Sequence, residues 1–76
     1  MKIYDNKGMT VDRYTVVMDG AVYAMSTDPN GYMGINQFSC TEGELKLKEG
    51  DKLLGARCQL ADLPIEVQQA IKDRQN

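Results

Sequence analysis

The chain has 76 residues, a formal net charge of −2, and 42% hydrophobic and 26% charged residues, with no histidine. A chain this short forms one domain that buries only about 60% of its unfolded surface, for an expected stability of roughly 4–11 kcal/mol. The ordinary composition argues against disorder, and the missing imidazole excludes Ser-His-Asp and Cys-His catalysis.

In chain order, Lys2–Tyr4 reads as a short first strand suited to a sheet edge, with Asn6-Lys7-Gly8 as a turn behind it. Asp12–Met18 and Ala21–Ser26 read as two strands joined by Asp19-Gly20, a dipeptide that favours tight hairpins. Closing that turn sets Met18 opposite Ala21, Val16 opposite Tyr23 and Tyr14 opposite Met25, all on one apolar face. The reverse face carries Arg13, Thr15, Val17, Val22, Ala24 and Ser26, and is expected to stay open.

Thr27–Gly34 is rich in turn-forming residues, with Pro29 and Asn30-Gly31 at its centre. Ile35–Cys40 alternates as a half-buried strand, and Phe38 and Cys40 are expected to face inward. Thr41–Glu44 reads as a connection, and Leu45–Lys48 as a short alternating stretch. Asp51 and Gly55 suit the cap and left-handed stop of a single helical turn, and Ala56–Leu60 reads as a last strand. The terminal segment is the clearest helix. Pro64 suits the first helical position, and Leu63, Val67, Ala70 and Ile71 form one apolar stripe. The whole of 1–76 is therefore expected to be a single small α+β domain. It is an antiparallel β-sheet of three to five strands with a C-terminal α-helix packed on one face.

Chemistry-bearing constellations are sparse. The glycines are spaced as turns and not as a phosphate cradle. Cys40 and Cys58 form no C-x-x-C pair and read as two small hydrophobes, a disulfide between them being the alternative. No metal or other cofactor is expected. Basic residues are scattered, so no direct nucleic-acid binding is expected. No apolar run suits a membrane span, and MKIYDN lacks the apolar core of a secretory signal, so a cytoplasmic location is expected. Asp12 beside Arg13 reads as a surface ion pair closing the strand, worth under about 1 kcal/mol, with ligand contact as the alternative. Tyr32 and Met33 lie in the turn-rich loop, where such side chains serve as interface anchors or fold back over a small core.

Several stretches together resemble a family of small proteins carried by bacteriophages and prophages. They are Lys2-Ile3-Tyr4-Asp5-Asn6, Thr10, Asp12-Arg13-Tyr14-Thr15-Val16-Val17, Met25-Ser26, Pro29, Gly34, Gln37, and Leu63-Pro64-x-x-Val67-x-x-Ala70-Ile71. The chain departs from that pattern at Lys7-Gly8, where the family has a glycine pair. It departs again at Asp28–Tyr32, where the family loop is richer in Pro and Phe. The resemblance implies a host-cytoplasmic, non-catalytic protein that binds a host machine stoichiometrically, inhibitors of bacterial immunity such as anti-CRISPR proteins being one such class.

The expected partner-binding residues are Arg13, Val17 and Val22 on the outer hairpin face, with Tyr32, Met33 and Asn36 beside it. One alternative is a signal-nucleotide sponge using Arg13, Arg57, Tyr32 and Asn36. The other is a homodimer in which a second copy covers Val17, Val22 and Ala24.

Overall fold

The computed structural model describes residues 1–32 and 34–75. In chain order the elements are β1 (Lys2–Asp5), β2 (Tyr14–Met18), β3 (Ala21–Met25), β4 (Ile35–Phe38), α1 (Glu42–Lys46), β5 (Ala56–Cys58), a short 3-10 turn (Leu60–Asp62) and α2 (Ile65–Gln75). The Asp19-Gly20 turn closes β2 on β3 with Met18 opposite Ala21, Val16 opposite Tyr23 and Tyr14 opposite Met25. Both turn residues take positive φ, 50° and 80°, the geometry whose twist matches that of the flanking strands.

All strand pairs are antiparallel, and the five-stranded sheet runs β4-β3-β2-β1-β5. On one face Ile3, Tyr14, Val16, Met18 and Met25 pack against Leu63, Val67 and Ile71 of the terminal segment. The stripe expected of α2 is thus its buried side, with Val67, Ala70 and Ile71 all covered. Pro64 lies one residue ahead of the helix and supplies its first acceptor carbonyl, to Gln68 at 3.0 Å.

The other face is also covered, which corrects the expectation of an open outer surface. β4 and β5 are opposite edges of the sheet, so the chain between them must cross the sheet, and it does so over this face. Leu45 and Leu54 of that crossing form a second core with Tyr4, Val17 and Val22. Val17 is 4% exposed and Val22 0%. The segment read as a connection is therefore α1, whose Thr41 and Glu44 form a reciprocal capping box at 3.1 and 3.2 Å. Three contacts fasten the crossing to the first strand and its turn. Lys2 pairs with Glu42 at 2.9 Å, the Tyr4 hydroxyl donates to Glu49 at 2.7 Å, and the Asn6 amide donates to the Leu53 carbonyl at 3.0 Å.

Smaller corrections follow from the same topology. β1 lies between β2 and β5 and is not an edge, so Tyr4 is buried. Phe38 does point toward the second face, opposite Val22, yet it remains 43% exposed because β4 is the last strand. Asp51 caps its turn as expected, accepting from Leu53 N–H at 2.8 Å, and Gly55 takes φ +86°. Cys40 and Cys58 are free and pack against different cores, Cys40 on the second and Cys58 on the first.

Candidate functional site

Five residues from the first part of the chain, Asp5, Asn6, Thr10, Asp12 and Arg13, assemble into one polar knot. Asn6, 3% exposed, donates to Thr10 Oγ1 at 2.8 Å and to the carbonyl of Asp12 at 3.3 Å. Its own Oδ1 accepts from the N–H groups of Gly8 and Met9 at 3.0 and 3.1 Å. Asp5 receives two hydrogen bonds from Arg13, from Nε at 2.9 Å and from Nη2 at 3.3 Å. The expected Asp12–Arg13 pair is thereby corrected. Arg13 is held by Asp5, its guanidinium 5.4 Å from the Tyr14 ring centroid, while Asp12 Oδ1 is buried without a hydrogen-bond partner among the described residues. The knot shapes the loop from Lys7 to Asp12 and leaves Arg13 committed to the fold.

Arg13, chiefly by its hydrogen bond, and the Lys7 backbone N–H hold the Asp5 carboxyl below the ordinary carboxylate range, against burial that raises it. A folded-state value below the unfolded one, about 3.9, means that acid protonates the unfolded chain first. The stabilisation is present above that pH and is lost as pH falls through the lower folded value. Arg13→Gln is therefore expected to lower the melting temperature most at neutral pH. The gap to wild type should close on acidification through that window, read by thermal melts across pH. A gap of constant size would mean that Arg13 stabilises by packing alone.

The other expected contact residues divide clearly. Val17 and Val22 lie beneath the α1 crossing and are withdrawn from any docking surface. The same burial corrects the dimer in which a second copy covers Val17, Val22 and Ala24, since the chain covers them itself. Tyr32 is fully exposed and Asn36 is exposed on β4, while Met33 lies outside the described residues. The proposed nucleotide contacts are not brought together, because Asn36 and Arg57 stand on opposite edge strands and Arg13 is paired to Asp5.

Two concavities flank the crossing. A cleft of about 480 Å³ is lined by Tyr4, Glu49, Asp51, Lys52 and Arg57 among others. Its acidic groups are occupied within the chain, Glu49 by the Tyr4 hydroxyl and Asp51 by the Leu53 N–H. Burial, then the Glu49 hydrogen bond, pushes the Tyr4 hydroxyl above its ordinary range, so it stays protonated and serves as a donor. Arg57 sits 5.5 Å from the Tyr4 ring centroid.

The second concavity, about 170 Å³, is more apolar and was missed from the sequence. It runs between Phe38 and the Leu53-Leu54 turn, over Thr15, Cys40 and Leu45, with Lys48 and Asp51 at its rim. Ala24, between Thr15 and Asn36 in register, offers only a methyl group on this side of the sheet. Phe38 and Leu53 (58% exposed) stand open beside it. The available signal was the parity of Phe38 with Val22 across the strand pair, which places it on this face.

Among the described residues no three His, Cys, Asp or Glu side chains gather as metal ligands, and no helix is long and apolar enough to cross a membrane. No family model, curated protein or solved structure matches the chain.

Proposed function

We propose that this chain is a small non-catalytic protein-binding domain that docks through the groove walled by Phe38 and Leu53, with the exposed Tyr32 and Asn36 as further contacts on the same strand and the loop before it. The observation that carries the reading is the groove between the exposed Phe38, on an uncharged edge strand, and the exposed Leu53 of the crossing, with a fully exposed tyrosine earlier in the chain. Exposed aromatic side chains around a pocket are the groups from which interface hot spots are built. Tyr32 buries a large area on contact at little entropic cost, its ring having only two side-chain torsions.

The setting implied by the phage-type resemblance makes the partner a host protein or complex in the cytoplasm, bound stoichiometrically. A bacterial immune complex of the CRISPR type is the class to assay first. Binding of purified candidate complexes by wild type, Tyr32→Ala, Phe38→Ala and Lys72→Ala tests the surface. The first two substitutions are expected to weaken binding at least about tenfold, as loss of a hot-spot side chain does. Lys72→Ala, on the exposed side of α2, should bind as wild type. Equal binding by all four proteins would place the docking surface elsewhere.

A further inference from the structure

We propose that a second copy of this chain pairs antiparallel along the free edge of β4, joining the two five-stranded sheets into one. The backbone parity of β4 sets this up. Ser26 N–H donates to the Gly34 carbonyl at 2.9 Å, and Ala24 and Val22 stand opposite Asn36 and Phe38. Bonding positions alternate along an antiparallel pair, so Gly34, Asn36 and Phe38 turn their backbone groups toward β3. Ile35, Gln37 and Ser39 turn theirs outward. An outward row of this kind is a template for another strand unless charge, proline or a bulge blocks it. β4 reads Ile-Asn-Gln-Phe and has none of the three.

Charge identifies the occupant as a copy. From Pro29 to Thr41 the chain carries no charged side chain, the longest such stretch in a sequence that is 26% charged. A strand meeting its own copy sets identical residues near one another, so any charge on it would be repeated across the junction and repel. A neutral strand removes that penalty. The symmetry also closes: around a two-fold axis every contact of one residue with another is made twice, which caps the assembly at two. With Gln37 at the axis, Ile35 faces Ser39 of the partner subunit and Asn36 faces Phe38 of the partner subunit. The two Gln37 side chains meet, and each amide is both donor and acceptor.

Opposite residues in such a pair share a face, so both Phe38 grooves come to the same side of the joined sheet. Two small rims become one surface. This last consequence rests on the docking reading above, whereas the pairing itself does not. A specific interface needs about 800 Å² on each partner, and the merged rim approaches that better than one short strand and one groove.

Sedimentation velocity up to millimolar concentration tests the pairing. Wild type is expected to dimerise. Gln37→Pro removes an outward N–H that β3 does not use and should be monomeric with an unchanged circular dichroism spectrum. Gln37→Lys, which keeps the strand and sets two positive charges at the axis, should be monomeric as well and serves should the proline variant fail to fold. Tyr32→Ala leaves the edge intact and should remain dimeric, which separates failure of the pairing from failure of the docking surface. A wild-type monomer at all concentrations, or a Gln37→Lys variant as dimeric as wild type, would overturn the pairing. In a monomer, loss of a bound target by Gln37→Lys would assign the edge to a strand of the target instead.

Discussion

Val22→Glu is expected to leave the chain largely unfolded at room temperature. Val22 is 0% exposed and sits in the second core among Tyr4, Val17, Leu45 and Leu54. A carboxylate there has no cation to pair with in that cluster, and an uncompensated buried charge costs roughly 3–5 kcal/mol. The whole domain is expected to hold about 4–11 kcal/mol, so the loss takes up much or all of it. Protonation of the new carboxyl limits the charge but leaves a buried polar group unsatisfied. Tyr32→Glu makes the comparison, since a fully exposed position should shift stability by no more than about 0.5 kcal/mol. Urea unfolding followed by circular dichroism reads both. A Val22→Glu protein with a wild-type midpoint would show that the α1 crossing leaves this face open in solution, and would restore Val17 and Val22 to the docking surface.

The same residue shows where sequence reading stops. The β2–β3 hairpin and α2 were legible because each is written locally. Asp19-Gly20 fixes the register of ten paired residues, from Tyr14–Met18 and Ala21–Met25, and the Leu63-Val67-Ile71 spacing fixes the buried side of α2. What covers the opposite face was not local. It depends on β5 pairing beyond β1, which obliges the chain after β4 to travel from one edge to the other. The Thr41-x-x-Glu44 capping box was present in the sequence as a helix signal. Only Leu45 of α1 is buried, however, so no apolar stripe accompanied it. A core gathered from Tyr4, Val17, Val22, Leu45 and Leu54 has no periodicity to detect.

The candidate site was half legible for related reasons. No periodic pattern claims Tyr32, so the sequence leaves it between an interface anchor and a residue folded back over the core, and the fold leaves it fully exposed. Alternation reads Phe38 as facing inward, yet it is Ile35 that packs on the first core, while Phe38 stands opposite Val22 on the second face, and alternation says nothing about which strand is last in the sheet. Its position at the edge turns an expected core residue into the wall of a groove. Arg13 was singled out for its charge, and only the fold shows that Asp5, eight residues earlier, engages it.

The crossing has one point where the backbone itself decides the outcome, and Gly55→Ala is expected to break it. Gly55 takes φ +86°, and a Cβ built there would lie 2.0 Å from the Asp5 carbonyl oxygen and 2.5 Å from Asn6 Cα. Those atoms are main chain at the end of β1 and in the residue after it, beside the Asp5–Ala56 end of the ladder that β1 makes with β5. They cannot swing aside as a side-chain tip would. Relief requires β5 to draw away from β1, and that disturbs the Asp5–Arg13 bonds and the Asn6 knot on the same backbone. Gly50→Ala isolates the conformational part of the cost, since Gly50 also takes positive φ, at +93°, with nothing within 4 Å of the added methyl. Left-handed strain alone is about 1–2 kcal/mol, whereas Gly55→Ala should approach ~4 kcal/mol, where severe point substitutions lie. Equal losses in the two variants, measured by urea midpoint, would mean that the close approach of Gly55 to Asp5 does not persist in solution. A far larger loss at Gly55 would fix the end of the crossing against β1, the contact that keeps Leu54 seated over Val17 and Val22.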